Sequence, residues 1–391
     1  MFIPYGRQIV NEDDIDAVTQ VLKSDYLTQG PVIPKFESSV ASYTGSNFAV
    51  AVNSATSALH LACLALNVTS KDYVWTSPIT FVASANCALY CGATIDFVDI
   101  DPISYNMSVT ALKNKLELAK KTKTLPKVVI PVHLAGQSCE MIEIHKLSIE
   151  YGFKIIEDAS HAIGAKYLDQ PVGNCLYSDI TVFSFHPVKI ITSVEGGIAV
   201  TNNPDYSNTM QRLRSHGITR DPIEMKGSTE GSWYYQQLEL GFNYRMSDVH
   251  AALGLNQMKR LDEFVAKRNS LASYYDLLLE DLPVRRPIQN GNCYSSFHLY
   301  VVRIPQKSST FGRLQVFERL RSNGIGVNVH YIPVYRQPYF KRFKISYKDY
   351  PESEAYYSEA ISLPLFPNLT KKQQEKIINI VTSPIGHQSI F

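Results

Sequence analysis

The sequence predicts an α/β protein, with a mainly parallel sheet covered by helices on both faces and a smaller α+β unit after it. Three observations carry this expectation. The segments FAVAV (48–52), DYVWTS (72–77), TIDFVDI (94–100), KVVIPVHL (127–134), FKIIED (153–158), DITVFSF (179–185) and GGIAVTN (196–202) read as nearly continuous apolar runs, the mark of strands buried on both sides. Most are separated by amphipathic stretches such as MSVTALKNKLELAKK and EMIEIHKLSIEYG, as crossovers between parallel strands require. After residue 245 the pattern changes, and SSFHLYVVRI and GVNVHYIPV alternate with helical TFGRLQVFERLRSNG and TKKQQEKIINIVTS.

Taken in order, Asn11 is placed to cap a helix over EDDIDAVTQVLKS, with acids in its first turn and Ile15, Val18, Val21 and Leu22 on one face. FAVAV runs into NSATS and a helix through Leu59, Ala62, Cys63 and Leu66. TVFSF and GGIAVTN lie only a short loop apart, which predicts a mixed edge in the sheet. SDVHAALGLNQMKRLDEFVAKRNSLASYYDLLLEDL reads as one long helical region. The expected division is a large domain over 1–245, with an N-terminal arm, and a small one over 246–391 that includes this linking helix. The basic KKTKTLPK (120–127) reads as a solvated helix end.

Composition narrows the function classes. Among 391 residues the formal charge is +2, which gives no argument for a polyanionic partner such as nucleic acid, so any phosphate must be held locally. The start, MFIPYGRQIVNEDD, lacks the basic and apolar regions of a signal peptide. No stretch approaches the roughly 18 apolar residues of a membrane span, and a cytoplasmic protein is expected. The six cysteines form no CxxC pair and are expected to be reduced thiols. Asn-x-Ser/Thr triplets at Asn67, Asn106 and Asn368 are read as chance matches. GxGxxG after a strand, GxxxxGK[ST], HExxH and GxSxG are all missing, which removes the best-signalled dinucleotide, nucleotide, zinc-protease and hydrolase readings.

What remains lies at strand ends, where open α/β sheets place their ligands. EDASHAIGA (157–165) puts Asp158 at the end of a buried strand, where an unpaired carboxylate is costly and a cationic partner is expected. VFSFHPVK (182–189) brings a hydroxyl, an imidazole and Lys189 just past another strand, before EGG (195–197). A lysine so placed is a candidate Schiff-base amine with a lowered pKa. Singly, each feature has a bland reading: a turn-forming Asp, a surface Lys, core histidines at His161 and His186. Together they match what pyridoxal 5'-phosphate (PLP) needs, namely an amine, an anion for its ring nitrogen, a flat side chain over the ring and a phosphate cradle.

LTQGPVIPKFE, NSATSALHLA, TSPITFVASAN, EDASHAIGA, FSFHPVKIITSVEGG, RSHGI, GFNYRMSDVHAALGLNQ, FHLYVVRI, VNVHYIPVY and SLPLFPNLT follow one another over nearly the whole chain. In that order they resemble the blocks of the DegT/DnrJ/EryC1/StrS family of PLP-dependent sugar aminotransferases. The resemblance implies fold type I of PLP enzymes and a homodimer with shared active sites. It implies that Lys189 is the Schiff-base lysine, that Asp158 pairs with the ring nitrogen and that His161 approaches the ring hydroxyl. Phe81 would stack on the ring. The turn at Ala55 and Thr56, with Ser184, would hold the phosphate at a helix N-terminus, and Asn243 would reach it from the other subunit. Two departures stand out: Ala55 where many relatives have Gly, and Phe366 where a His is frequent.

The implied reaction takes an amino group from L-glutamate and gives it to a nucleotide-linked keto-sugar, with Lys189 as the proton shuttle. The NSATSAL turn, Phe81 and LPKVVIPVHLAGQSCEM resemble the subgroup of pseudaminic acid biosynthesis. That implies a UDP-linked 2-acetamido-2,6-dideoxy-4-keto-sugar as substrate. Arg7, Arg245, His330, Tyr331 and Tyr335 are candidates for its pocket. The alternatives are a different nucleotide-linked keto-sugar, a sugar dehydratase, which Lys189 argues against, and a non-catalytic PLP-fold binding protein.

Overall fold

Alternate residues of the apolar runs are buried on opposite faces of one sheet. The computed structural model describes residues 2–227, 229–305 and 312–382. Its seven-stranded sheet comprises β1 (Phe48–Val52), β2 (Tyr73–Thr76), β3 (Thr94–Phe97), β4 (Val128–Ile130), β5 (Lys154–Asp158), β6 (Ile180–Ser184) and β7 (Gly197–Thr201). The spatial order is β1-β7-β6-β5-β4-β2-β3. Strands β3, β2, β4, β5 and β6 are parallel, while β7 runs antiparallel to both β6 and β1, the mixed edge that the sequence predicts. The helices α1 (Glu12–Leu22), α2 (Val32–Thr44), α3 (Ala55–Ala65), α4 (Ala83–Tyr90), α5 (Val109–Thr122) and α6 (Met141–Tyr151) precede or separate the strands, and α7 (Pro204–Leu213) follows the last of them.

Both faces are covered. Val50, Val52 and Val182 pack with Leu59, Leu61 and Met210 of α3 and α7. Their neighbours Ala49, Ala51 and Phe183 turn the other way, against Phe36 and Val40 of α2. Trp75, Val129 and Ile155 meet Leu112 of α5 and Ile144 of α6. This is the period-two alternation of a sheet with two buried faces.

The predicted single helical region is two helices, α8 (Asp248–Met258) and α9 (Leu261–Leu278). Phe264 and Val265 of α9 belong to the core under the large sheet. Ala272 and Tyr275 pack instead with Tyr300, Leu320, Leu363 and Ile377, so α9 joins two cores. The smaller unit contains β8 (Tyr300–Arg303), α10 (Arg313–Ser322), α11 (Pro351–Glu359), β9 (Ala360–Leu363) and α12 (Lys371–Thr382). Thr310 and Phe311 of the predicted α10 segment, Ser383 of the last one and the chain end lie outside the described residues. The strand that pairs with β8 is β9 and not GVNVHYIPV. That segment makes one bridge, Asn328 to Ser362, before Pro333, which has no N–H to donate, and its middle turns into the cavity described below.

Helix α1 also departs from expectation. Asn11 and Asp14 form a reciprocal capping box, but Ile15 and Leu22 are 48% and 57% exposed. The buried face is Asp14 and Val21, because Asp14 accepts hydrogen bonds from Asn256 Nδ2 and Gln257 Nε2, each at 2.7 Å, and pairs with Arg260. A polar anchor, not an apolar stripe, sets the roll of this helix. Asn106 is buried and spends its amide on the carbonyls of Gln137 and Ser138, in keeping with a chance glycosylation triplet. Lys120 and Lys121 end α5 in solvent. Among the described residues no helix is long and apolar enough to cross a membrane.

Replacing Asp14 by Ala leaves two amides and a guanidinium without their acceptor. It should lower stability by about 3 kcal/mol, read as a lower midpoint in urea. An unchanged midpoint refutes the anchor.

Candidate active site

Strands β2, β4, β5 and β6 are parallel, so their carboxyl ends lie on one edge of the sheet. A cavity of about 570 Å³ opens there. Ala55, Thr56, Phe81, Asp158, His161, Ser184 and Lys189 all line it, although they come from four separate blocks of the chain. Asn243 does not line it; it is exposed, bridged through its backbone to Ser215.

Asp158 is the last residue of β5, held from below by backbone bonds to Pro131 and His133. Its expected cationic partner is not there: no ion pair to Asp158 forms among the described residues. Hydroxyls take that place. Oδ1 accepts from Ser160 N–H at 3.1 Å and Ser160 Oγ–H at 2.6 Å, and Oδ2 accepts from Ser84 Oγ–H at 2.6 Å. The preceding acid, Glu157, points to the other face of the strand and binds His133, Ser178 and Thr181. Only one of the two adjacent carboxylates therefore serves the cavity.

Lys189 follows β6 on a turn closed by its own N–H to His186 O. Burial pushes its ammonium down to about 8, against the opposing pull of Asp158, so a useful fraction is a free amine near neutral pH. His161 is buried and accepts from Ala135 N–H on Nδ1 at 3.2 Å. The proton of the neutral ring must then sit on Nε2, which donates to Tyr331 Oη at 3.0 Å. Burial first, then Lys189 and His330, hold its pKa well below the ordinary value, so the ring stays neutral. Its bland reading as a hydrogen-bonded histidine is met, but at the cavity wall. His186 is not a core residue; it is exposed at the rim.

The opposite wall is the first turn of α3. Ser54 caps it by accepting from Ser57 N–H, which leaves the Ala55 and Thr56 amides at an end that has no intrahelical acceptors. The strand end of β7 comes unusually close: a Cβ on Gly197 would sit 2.3 Å from Ala55 N. A side chain there would push the strand off the helix terminus, which accounts for the second glycine of EGG. Ser184 pairs with Gly197 in the ladder and faces the same turn. Phe81 is 59% exposed, so it is a free flat face at the mouth and not core packing.

Of the further candidates, His330 and Tyr331 line the cavity, while Arg7 and Arg245 do not. Tyr335 is a core residue whose hydroxyl donates to Glu354 at 2.8 Å. Phe366 is likewise buried in the smaller core. Sequence reasoning missed Ser84, Ser160 and Thr80, whose signal lay inside TSPITFVASAN and EDASHAIGA, and His298, whose ring lies 4.4 Å from that of His161.

The donor set fits PLP: an amine of lowered pKa, a carboxylate without a competing cation, a helix terminus with an adjoining hydroxyl and a flat exposed ring. The comparisons agree. The profile of the DegT/DnrJ/EryC1/StrS aminotransferase family matches residues 8–382. A Campylobacter jejuni protein named UDP-4-amino-4,6-dideoxy-N-acetyl-beta-L-altrosamine transaminase is 38% identical over 95% of this chain and 94% of its own. The solved structure of Helicobacter pylori PseC, an aminotransferase of pseudaminic acid biosynthesis, has a TM-score of 0.87 at 31% identity, covering 97% of this chain and 98% of that one. Streptococcus pneumoniae Spr1654, solved in its PLP form, has a TM-score of 0.86 at 28% identity over 97% and 98% of the two chains.

Because only the neutral amine attacks a carbonyl, the lowered pKa has a readout. Reductive methylation of the PLP-free protein by formaldehyde and cyanoborohydride, quantified at the Lys189 peptide, should rise with a midpoint near pH 8. A midpoint at the ordinary lysine value of 10.5 would show that burial does not tune this amine.

Proposed function

The chain belongs to the DegT/DnrJ/EryC1/StrS aminotransferase family, and on that premise we propose that it converts a UDP-linked 2-acetamido-2,6-dideoxy-4-keto-sugar to UDP-4-amino-4,6-dideoxy-N-acetyl-β-L-altrosamine with L-glutamate as donor. The chain is a PLP-dependent sugar aminotransferase. The observation that carries the site assignment is the meeting, in one cavity, of Lys189 with its lowered pKa, the hydroxyl-held Asp158 and the open terminus of α3.

PLP, when bound, supplies the carbonyl that takes up amines and the ring that stores an electron pair. In our reading the chain supplies the rest. The Ala55 and Thr56 amides and Ser184 Oγ would hold the phosphate. The Asp158 carboxylate would pair with the ring nitrogen and favour its proton. His161, neutral and accepting from Ala135 N–H, would be the neighbour of the ring hydroxyl. Phe81 would offer its flat face to the ring. Lys189 Nζ would take the proton from the donor's α-carbon and return it later in the reaction. Phe81, Val188, Tyr331 and Ile332 offer a largely apolar wall to the sugar's 6-methyl group. The Campylobacter and Helicobacter relatives support the pseudaminic-acid substrate. Transfer to another nucleotide-linked keto-sugar is the second reading, favoured by the identity of only 38% to the named transaminase.

We also propose a homodimer with Asn243 acting in trans. Asn243 lies outside its own cavity, and Ile15, Leu22, Tyr26, Leu27, Trp233 and Leu240 leave apolar surface exposed, as surfaces that meet a partner do.

Two experiments test these readings. Incubation with glutamate and a panel of UDP- and dTDP-linked keto-sugars, read by mass spectrometry, should give amination of the UDP-4-keto sugar first. Preference for another sugar selects the second reading, and amination of none sinks both. Mixing inactive Lys189→Ala and Asn243→Ala proteins should partly restore activity, since a mixed dimer then has one site carrying both lesions and one carrying neither. No return after proven subunit exchange refutes the shared site.

A further inference from the structure

Asp158 is buried with no ion-pair partner among the described residues, yet both of its oxygens accept hydrogen bonds. Ser160 serves Oδ1, from the rim of the cavity. Ser84 serves Oδ2 from behind, in the first turn of α4, and is fully buried. Ser84 Oγ also lies 2.7 Å from Thr80 Oγ1, itself buried. A serine has one hydroxyl proton, and an ionised carboxylate can only accept. Spent on Asp158, that proton leaves Thr80 to donate to Ser84. The chain therefore runs Thr80 to Ser84 to Asp158, with every hydrogen pointing at the carboxylate.

We propose that Ser84, backed by Thr80, is a positioning residue that holds Oδ2 of Asp158 and aims the carboxylate at the cofactor's ring nitrogen. This rests on the PLP reading above. Hydrogen bonds to the charged form stabilise a carboxylate, and neutral donors do so without consuming its charge. A lysine or arginine in the same place would satisfy Asp158 and compete with the protonated ring nitrogen. With only hydroxyls and an amide bonded to it, the carboxylate would be left free to pair with a protonated ring nitrogen. The bland alternative is a helix-start serine, whose Oγ also lies 3.3 Å from Phe81 O.

The test separates the two by chemistry at one ring atom. Apo-protein is titrated with PLP and with its 1-deaza analogue, in which carbon replaces the ring nitrogen, and the ratio of the two dissociation constants is taken. Wild type should prefer PLP, and Ser84→Ala should cut that preference about tenfold while leaving affinity for the analogue unchanged. Ser84→Thr should restore the preference. Thr80→Val, which keeps the shape and removes the supporting donor, should lower it to a smaller degree, and this variant carries the test if Ser84→Ala does not fold. Equal weakening of both ligands, or an unchanged preference, overturns the assignment and makes Ser84 structural. Wild type that binds neither ligand overturns the PLP reading itself, and the assignment with it.

Discussion

Asp158 ends a parallel strand inside the protein with a backbone amide and two hydroxyls, and no cation, around its charge. A buried carboxylate is costly unless its oxygens are satisfied, and the donors that satisfy it come from the loop that follows β5 and from the first turn of α4. Its field in turn reaches Lys189 and works against the burial that lowers the amine's pKa. One arrangement thus sets both groups: a carboxylate whose oxygens are filled by neutral donors, and an amine destabilised as an ammonium by its enclosure. Neither is a property of the residue alone.

The sheet brings these parts together. Parallel strands β2, β4, β5 and β6 end on one edge, so the segments following them converge. The antiparallel β7 does a different job: it begins at that edge and lays Gly197 against the first turn of α3. The mixed edge therefore builds the side of the cavity at the α3 terminus, and the glycine is required by a close approach of backbone to backbone and not by a turn.

The surface follows a different logic. Helix α1 is rolled by the Asp14 network so that part of its apolar side faces outward, and Trp233, Leu240 and Asn243 are exposed as well. An apolar residue in an amphipathic pattern is read as core by default. Where a buried polar anchor overrides the pattern, the same residues become surface available to a partner.

The seven strands, their mixed edge and most of the helices were legible because both-face burial and helical spacing leave strong periodic signals in the residues themselves. The gathered site residues were legible through their family blocks, from Ala55 to Lys189. The sequence did not reveal what surrounds them. Asp158 was assigned a cation because a formal charge asks for one, and hydroxyls 74 and 2 residues away, Ser84 and Ser160, took its place. Tyr335 sits in the same motif as Tyr331 yet points into the core. GVNVHYIPV has a strand's composition but spends its middle on the cavity. Composition and spacing by themselves determined which elements form and which side chains carry reactive groups, because those depend on local chemistry. Which hydrogen bonds satisfy each charge, and which face of α1 meets solvent, were decided only by tertiary structure, because both depend on partners that the chain brings near from far along its length.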